Sequence, residues 1–209
     1  MDTIFLIHHE LNLAQFDTQI IMKIPSAGFG SELHFIICPQ MFNALPARYI
    51  AFQMEQSVNP RWFNENYFNS LKNAQAILDY SLVNIDYLQE KGISYKTIFY
   101  TPISLLEDYP NYLAQKNTKI PKTIPEYDVI FYGDANNTRR QKFLTAISHR
   151  FKTKIVSEVF GATLYDELIT AKVIVNIHYY ENALLETTRI YECLSLGLPV
   201  ISESSVDIL

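Results

Sequence analysis

Residues 173–203, VIVNIHYYENALLETTRIYECLSLGLPVISE, constrain the fold more than any other stretch of this chain. Val173–Ile177 is an almost unbroken apolar run, the pattern of a strand covered on both faces, and such strands belong to parallel sheets. A polar loop follows, then a helix-length segment from Leu184 to Leu196, then Gly197-Leu198-Pro199, and a second apolar strand over Pro199–Ser202. The first strand ends among Asn176, His178 and Tyr179. Polar groups therefore collect at the carboxyl end of a strand, where open α/β sheets bind their ligands.

The same alternation runs through the chain. Before residue 103 it predicts strands at Thr3–Ile7, His34–Cys38, Tyr49–Met54, Ala76–Leu78 and Lys96–Tyr100. Helices are expected at Leu13–Lys23, at Trp62–Asn73, and from a Ser81 cap to Glu90, where Gly92 stops the last one. Residues 103–126 hold proline and polar residues without periodicity and read as a linker. Beyond them strands are predicted at Val129–Tyr132, Lys154–Ser157 and Val173–Ile177, with helices at Thr138–Arg150 and Leu164–Thr170. The expected class is α/β, with one domain over 1–102 and a second over 127–209. Helical crossovers favour parallel pairing in each.

The bulk numbers remove several functions. A net charge of −5, with lysines and arginines scattered, argues against a nucleic-acid partner. No apolar run approaches the roughly 20 residues that span a bilayer. The amino terminus, MDTIFLIHHELN, lacks the basic region of a signal peptide. Cys38 and Cys193 have no metal-like spacing and read as buried thiols of a reducing compartment, so a soluble cytoplasmic protein is expected. There is no Gly-x-Gly-x-x-Gly opening a helix, no Walker loop and no Gly-x-Ser-x-Gly elbow.

Three constellations carry candidate chemistry. In the segment 184–196, a step of 100° per residue sets Ala183, Leu184, Ile190, Tyr191 and Leu194 on one side, expected to face the sheet. Arg189 and Glu192 share the opposite flank and are spaced to meet one ligand. The plain alternative is an exposed helical ion pair worth a few tenths of a kcal/mol. In the second constellation a strand ends at Gly133, and Thr138 is a candidate cap for a helix that opens with Arg139 and Arg140. Arginines oppose the dipole at a helix start unless an anion such as a diphosphate sits there. The two are not distinguishable in that role, and solvated arginines beside a βα turn are the alternative. Thirdly, alternation sends Asn176 and His178 to one side of their strand, with His178 within reach of a phosphate or a sugar. Candidate general bases are His8, His9 and Glu10 after the first strand, Glu55 after the third, and Asp79-Tyr80-Ser81. Of these, Asp79-Tyr80-Ser81 reads better as ordering the next helix. Adjacent histidines on a strand point to opposite faces, so His8 and His9 do not chelate one ion.

Several of these segments together resemble the two-domain (GT-B) glycosyltransferases. They are Glu192 five residues before Gly197-Leu198-Pro199-Val200, Gly133 followed by Arg139-Arg140, Asn176-Ile177-His178-Tyr179 ahead of that glutamate, and Ala76–Asn84 before a helix. The family's other glutamate would fall at Leu184. Its loss brings the chain nearer the spore-maturation-type glycosyltransferase-like domains, with their Arg-x-x-Glu before the glycine, and argues against a retaining mechanism that needs it. The resemblance implies two Rossmann-like domains facing across a cleft, in a minimal or truncated form, since such enzymes usually run on for several helices. It implies transfer of a sugar from a nucleotide-activated donor to a glycan or glycoconjugate acceptor, in surface polysaccharide assembly. Gly133, Arg139, Arg140, Asn176, His178, Arg189 and Glu192 would bind the donor, with Glu192 on the ribose and the arginines on the diphosphate. No metal and no cofactor are implied, because no Asp-x-Asp ends a strand. The base would come from the first domain, with Glu55 and His8 as candidates. Two other readings remain: a nucleotide-binding or scaffolding protein on a decayed glycosyltransferase fold, and a module active only with a partner.

Overall fold

Each half of the chain forms a four-stranded, wholly parallel sheet. A computed structural model describes residues 3–105, 109 and 124–207, and the chain divides into one unit of Asp2–Pro102 and one of Ile103–Leu209. Most of the expected linker, 106–108 and 110–123, lies outside the described residues. No helix among them is long and apolar enough to cross a membrane.

The first unit contains α1 (Thr3–Leu13), β1 (His34–Ile37), β2 (Tyr49–Gln53), α2 (Glu65–Asn73), β3 (Ala76–Asp79), α3 (Leu82–Glu90) and β4 (Ile98–Tyr100). Its strands lie in the order β1-β2-β3-β4. Ile36, Ala51, Ile77 and Ile98 stand in one register row. They share a core with Tyr67 and Leu71 of α2 and with Ile85 and Leu88 of α3. Crossovers that always advance in one direction with one hand leave their helices on one face. The next row, Ile37, Phe52, Leu78 and Phe99, belongs to the other face. There Phe52 is buried, whereas Phe99 is 52% exposed.

The second unit contains β5 (Tyr127–Tyr132), α4 (Thr138–Ser148), β6 (Thr153–Val156), α5 (Gly161–Leu168), β7 (Ala171–Asn176), α6 (Thr187–Ser195) and β8 (Val200–Ser202). Here the order is β6-β5-β7-β8. The chain steps from β5 outward to β6, then doubles back across β5 to β7, so helices cover both faces. Leu144 of α4 packs with Val129, Phe131 and Val175 on one side. Leu164 and Leu168 of α5 and Cys193 of α6 pack with Ile130, Tyr132 and Ile174 on the other. The strand order reverses between β5 and β7, and their carboxyl ends part to leave a crevice there.

Several expectations are corrected. Thr3–Ile7 is no strand: residues 3–13 form a helix. A short apolar run is ambiguous between the two states, and a segment without a neighbouring strand satisfies its backbone only as a helix. His8, His9 and Glu10 are therefore helical residues, and His8 bonds to Thr18 Oγ1 at 2.7 Å and to Asn12. The helix expected at Leu13–Lys23 is absent. α1 ends at Leu13, Gln15 adopts φ +66°, and residues 16–33 are irregular. Phe16, Thr18, Ile20 and Ile21 are poor helix formers, and Pro25 follows closely. Trp62 closes a 3-10 turn, and the helix proper starts at Glu65 behind an Asn64 cap. Tyr95–Thr97 is likewise a 3-10 turn before β4. Ser81 stands at the cap position of α3 without a capping bond from its side chain.

Candidate functional site

The reversal between β5 and β7 brings six of the seven expected donor residues together. Gly133 follows β5 with φ +130°. A Cβ there would stand 2.9 Å from Arg189 Nη2 and 3.6 Å from Arg140 Nη1, so glycine lets two guanidinium groups lie against the backbone. The loop then reaches Asn137, whose side-chain oxygen accepts the N–H groups of Arg139 (2.9 Å) and Arg140 (3.1 Å). Asn137, rather than Thr138, is the cap, because the residue before the first helical turn is the one placed to bond back to N2 and N3. Those helix-terminal donors are thus taken by the protein itself. Any anion here meets guanidinium groups rather than free amides.

Arg140 is 3% exposed. Its Nε donates to Ile177 O (2.9 Å), Nη1 to Asp134 O (2.9 Å), and Nη2 to Glu186 Oε1 (3.1 Å). The rings of Phe131 and Tyr179 lie about 5 Å from its guanidinium carbon, 5.3 and 5.1 Å. Arg189, 17% exposed in its side chain, donates to Asn176 Oδ1 at 2.7 Å and pairs with Glu186 at 3.4 Å. Its buried Nε has no hydrogen-bond partner among the described residues. Arg139 is the most open of the three, 24% exposed in its side chain, and forks onto both oxygens of Glu203.

His178 is 2% exposed, with Nδ1 2.8 Å from Glu186 Oε2 and Nε2 3.2 Å from Ser204 O. Both ring nitrogens thus face acceptors, which suits the imidazolium. Burial pushes the His178 pKa down, but the Glu186 bond and the charges of Glu186 and Glu203 outweigh it, so the net shift is upward. Glu186 is the reciprocal case. Burial raises its carboxyl, and the His178 bond and the Arg189 charge hold it below the ordinary range. Glu203 is lowered for the same reason, with Arg139 and the His178 N–H overcoming burial.

Glu186 is the hub of this network. α6 starts at Thr187 rather than Leu184, so Glu186 is its cap residue and turns back toward β7. Ala183 and Leu184 are buried in the preceding loop. The sheet-facing side of α6 also differs from the expected one. Glu192, Cys193 and Ser195 are buried, whereas Leu194 is exposed. A tyrosine hydroxyl supplies a partner for the buried carboxylate. Arg189 and Glu192 are held by different partners. Glu192 Oε2 accepts from Tyr132 OH at 3.1 Å and Oε1 lies 3.4 Å from Tyr109 OH, while Tyr132 OH also reaches Arg189 O.

Sequence reading missed Glu186, Glu203 and Tyr132. The available signals were an acidic residue directly after the strand at Ser202 and another ahead of Thr187-Thr188. Neither carries a spacing that names its partners, which come from other strands.

In the first unit, Glu55 follows β2, half-buried, and accepts Gln40 Nε2 at 2.6 Å. Burial raises its pKa, against smaller lowering by Gln40 and by the Arg61 charge. Nearby, Asp79 orders the start of α3 as expected: Oδ1 accepts Ser81 N (2.9 Å) and Asn84 Nδ2 (3.1 Å). Its Oδ2 accepts Gln53 Nε2 (2.7 Å). Burial pushes Asp79 up to about 7 despite these bonds.

Comparison with protein-family models gave no match, and comparison with curated proteins gave no significant one.

Proposed function

We propose that the second unit binds a nucleotide-activated sugar at the carboxyl ends of β5 and β7, and that the protein is a metal-independent glycosyltransferase acting on a glycan or glycoconjugate acceptor, in surface polysaccharide assembly. The observation that carries this reading is the gathering of Arg139, Arg140, Arg189 and His178 at the one strand-order reversal in the described sheets. That crevice is where doubly wound sheets bind phosphorylated ligands. Three guanidinium groups against the two carboxylates bonded to them leave a positive excess for an anion. Fixed guanidinium groups would stabilise the charge on a departing diphosphate, as a divalent cation does elsewhere. Glu192, one turn along α6 from Arg189, would take a ribose hydroxyl in place of the longer Tyr109 contact. Glu55, half-buried just after β2, suits a general base better than His8, which lies within α1 and is bonded to Asn12 and Thr18. The acceptor would belong to the first unit.

One observation favours the rival, a binding or scaffolding protein on a decayed glycosyltransferase fold: Glu186 and Glu203 already answer the arginines internally. The two readings separate experimentally. UDP, GDP, CMP, ADP and dTDP are tested for thermal stabilisation of wild type, Arg139→Gln and Glu192→Gln. A nucleotide at about 100 times its Kd adds roughly 2.7 kcal/mol. One nucleotide stabilising wild type, and the variants less, supports the donor site. Release of free sugar from the matching nucleotide sugar then supports the enzyme over the rival. No shift with any nucleotide overturns the proposal.

A further inference from the structure

Beside the Arg139–Glu203 pair lies an open polar pocket of about 520 Å³, bounded by Arg139, Asn182, Glu203, Ser204 and Ser205. Its size falls within the roughly 300–1,000 Å³ of small-molecule sites. A second groove of about 550 Å³, along α4 and the end of β6, has neither a carboxylate nor a guanidinium in its lining. The two are chemically different surfaces, and Arg139, His178 and Glu203 of the site line the first.

The walls of the first pocket combine four properties. The one guanidinium among its described lining residues is already forked onto a carboxylate, so the pair presents hydrogen-bonding edges with little net charge. Glu181 stands at the same wall, exposed, and acts electrostatically on Arg139. The imidazole of His178 is turned to Glu186 and Ser204 O. The neutral groups are those that read hydroxyls: the Asn182 amide and the Ser204 and Ser205 side chains. Ser205 Oγ is buried with no hydrogen-bond partner among the described residues. A buried hydroxyl without a partner costs about 1–3 kcal/mol, which a ligand hydroxyl reaching it would offset. Asn182 has φ +55°, a conformation asparagine tolerates better than most residues.

We infer that this pocket holds the glycosyl part of the donor and that it selects an uncharged or amino sugar over an acidic one. The inference rests on the donor reading above and adds to it the class of sugar. An acidic sugar would bring a carboxylate against Glu181 and Glu203, with one guanidinium already engaged. A neutral hexose or hexosamine exchanges its hydroxyls for water at Asn182, Ser204 and Ser205. A protonated amine meets carboxylates.

The test is titration calorimetry with the nucleotide identified by thermal stabilisation, alone and as matched neutral and acidic sugars: UDP-glucose against UDP-glucuronate, or GDP-mannose against GDP-mannuronate. The neutral donor is expected to bind several-fold more tightly than the nucleoside diphosphate, and the acidic donor about 10-fold more weakly than the neutral one. Asn182→Gly keeps the backbone conformation and removes the amide, and Ser205→Ala removes the hydroxyl. Each is expected to shrink the ratio of neutral-sugar to diphosphate affinity. Glu203→Gln is expected to narrow the gap between neutral and acidic donors. A diphosphate that binds as well as both of its sugars, or ratios unmoved by Asn182→Gly and Ser205→Ala, would overturn the sugar pocket and leave the donor site standing. Tighter binding of the acidic donor would overturn the charge selection. Absence of binding by every nucleotide would instead overturn the donor reading beneath it.

Discussion

Replacing Glu186 by glutamine is expected to cost about 3–5 kcal/mol, the range for breaking a buried ion pair by removing one partner. The side chains facing it set the size. Arg140 and His178 are buried almost completely, and Arg189 largely so. Glutamine preserves the length of the side chain and one acceptor. It removes the charge, and its amide N–H has an acceptor only at His178 Nδ1 in the neutral ring, not at the guanidinium groups. The cost is close to a large fraction of the 5–15 kcal/mol that stabilises a typical protein. For a chain of this length it corresponds to a fall in Tm of roughly 6–20 °C.

The loss should depend on pH in a defined way. The folded pKa of His178 is raised above 6.5, so its stabilisation is complete below about 6.5 and fades as pH rises through the folded value. The folded pKa of Glu186 is lowered below 4.5, so its contribution is complete above about 4.5 and fades as pH falls through the folded value. The gap between wild type and Glu186→Gln should therefore be widest between about pH 4.5 and 6.5 and narrower at pH 8.5. Urea unfolding at pH 5.5 and 8.5 measures it, and the NMR titration of His178 should move down in the variant. A gap below about 1 kcal/mol at pH 5.5 would refute the idea that Glu186 holds this network together.

Other positions give independent checks. Asn137→Ala removes the cap of α4 and should cost about 1 kcal/mol, with a range of roughly 0.5–2, in urea unfolding; an unchanged midpoint would show that water caps the helix equally well. Gly133→Ala forces a Cβ against Arg189 at φ +130°, and a loss of about 1–3 kcal/mol is expected by thermal unfolding. Full stability in that variant would mean that the guanidinium yields without cost. Asp79, raised from 3.8 to about 7, binds its proton more tightly in the folded state, so wild type loses stability as pH climbs through that window. Asp79→Asn lacks this slope, and its stability relative to wild type should improve by up to about 4 kcal/mol between pH 4 and 8. Parallel pH curves for the two proteins would contradict that assignment.

The parallel α/β class was legible because covered strands such as Val129–Tyr132 and Val173–Asn176 are apolar on both faces, a pattern the chain carries locally. Segment ends failed where a local pattern was shared by two states: Thr3–Ile7 has the apolar content of a strand but no ladder partner, and it coils. The candidate site was partly legible for the same reason. Gly133, Arg139, Arg140, Asn176, His178 and Arg189 each stand at the carboxyl end of a strand or the start of a helix, positions that hydrophobic periodicity locates. What the sequence could not contain is the strand order. Only the reversal β6-β5-β7-β8 sets the loop after β5 beside the loop after β7 and brings Glu203 from β8 onto Arg139. Only the later start of α6 makes Glu186, and not Glu192, the carboxylate at the centre. Periodicity is a property of neighbours along the chain, whereas the pairing of charges depends on which strands are neighbours in the sheet.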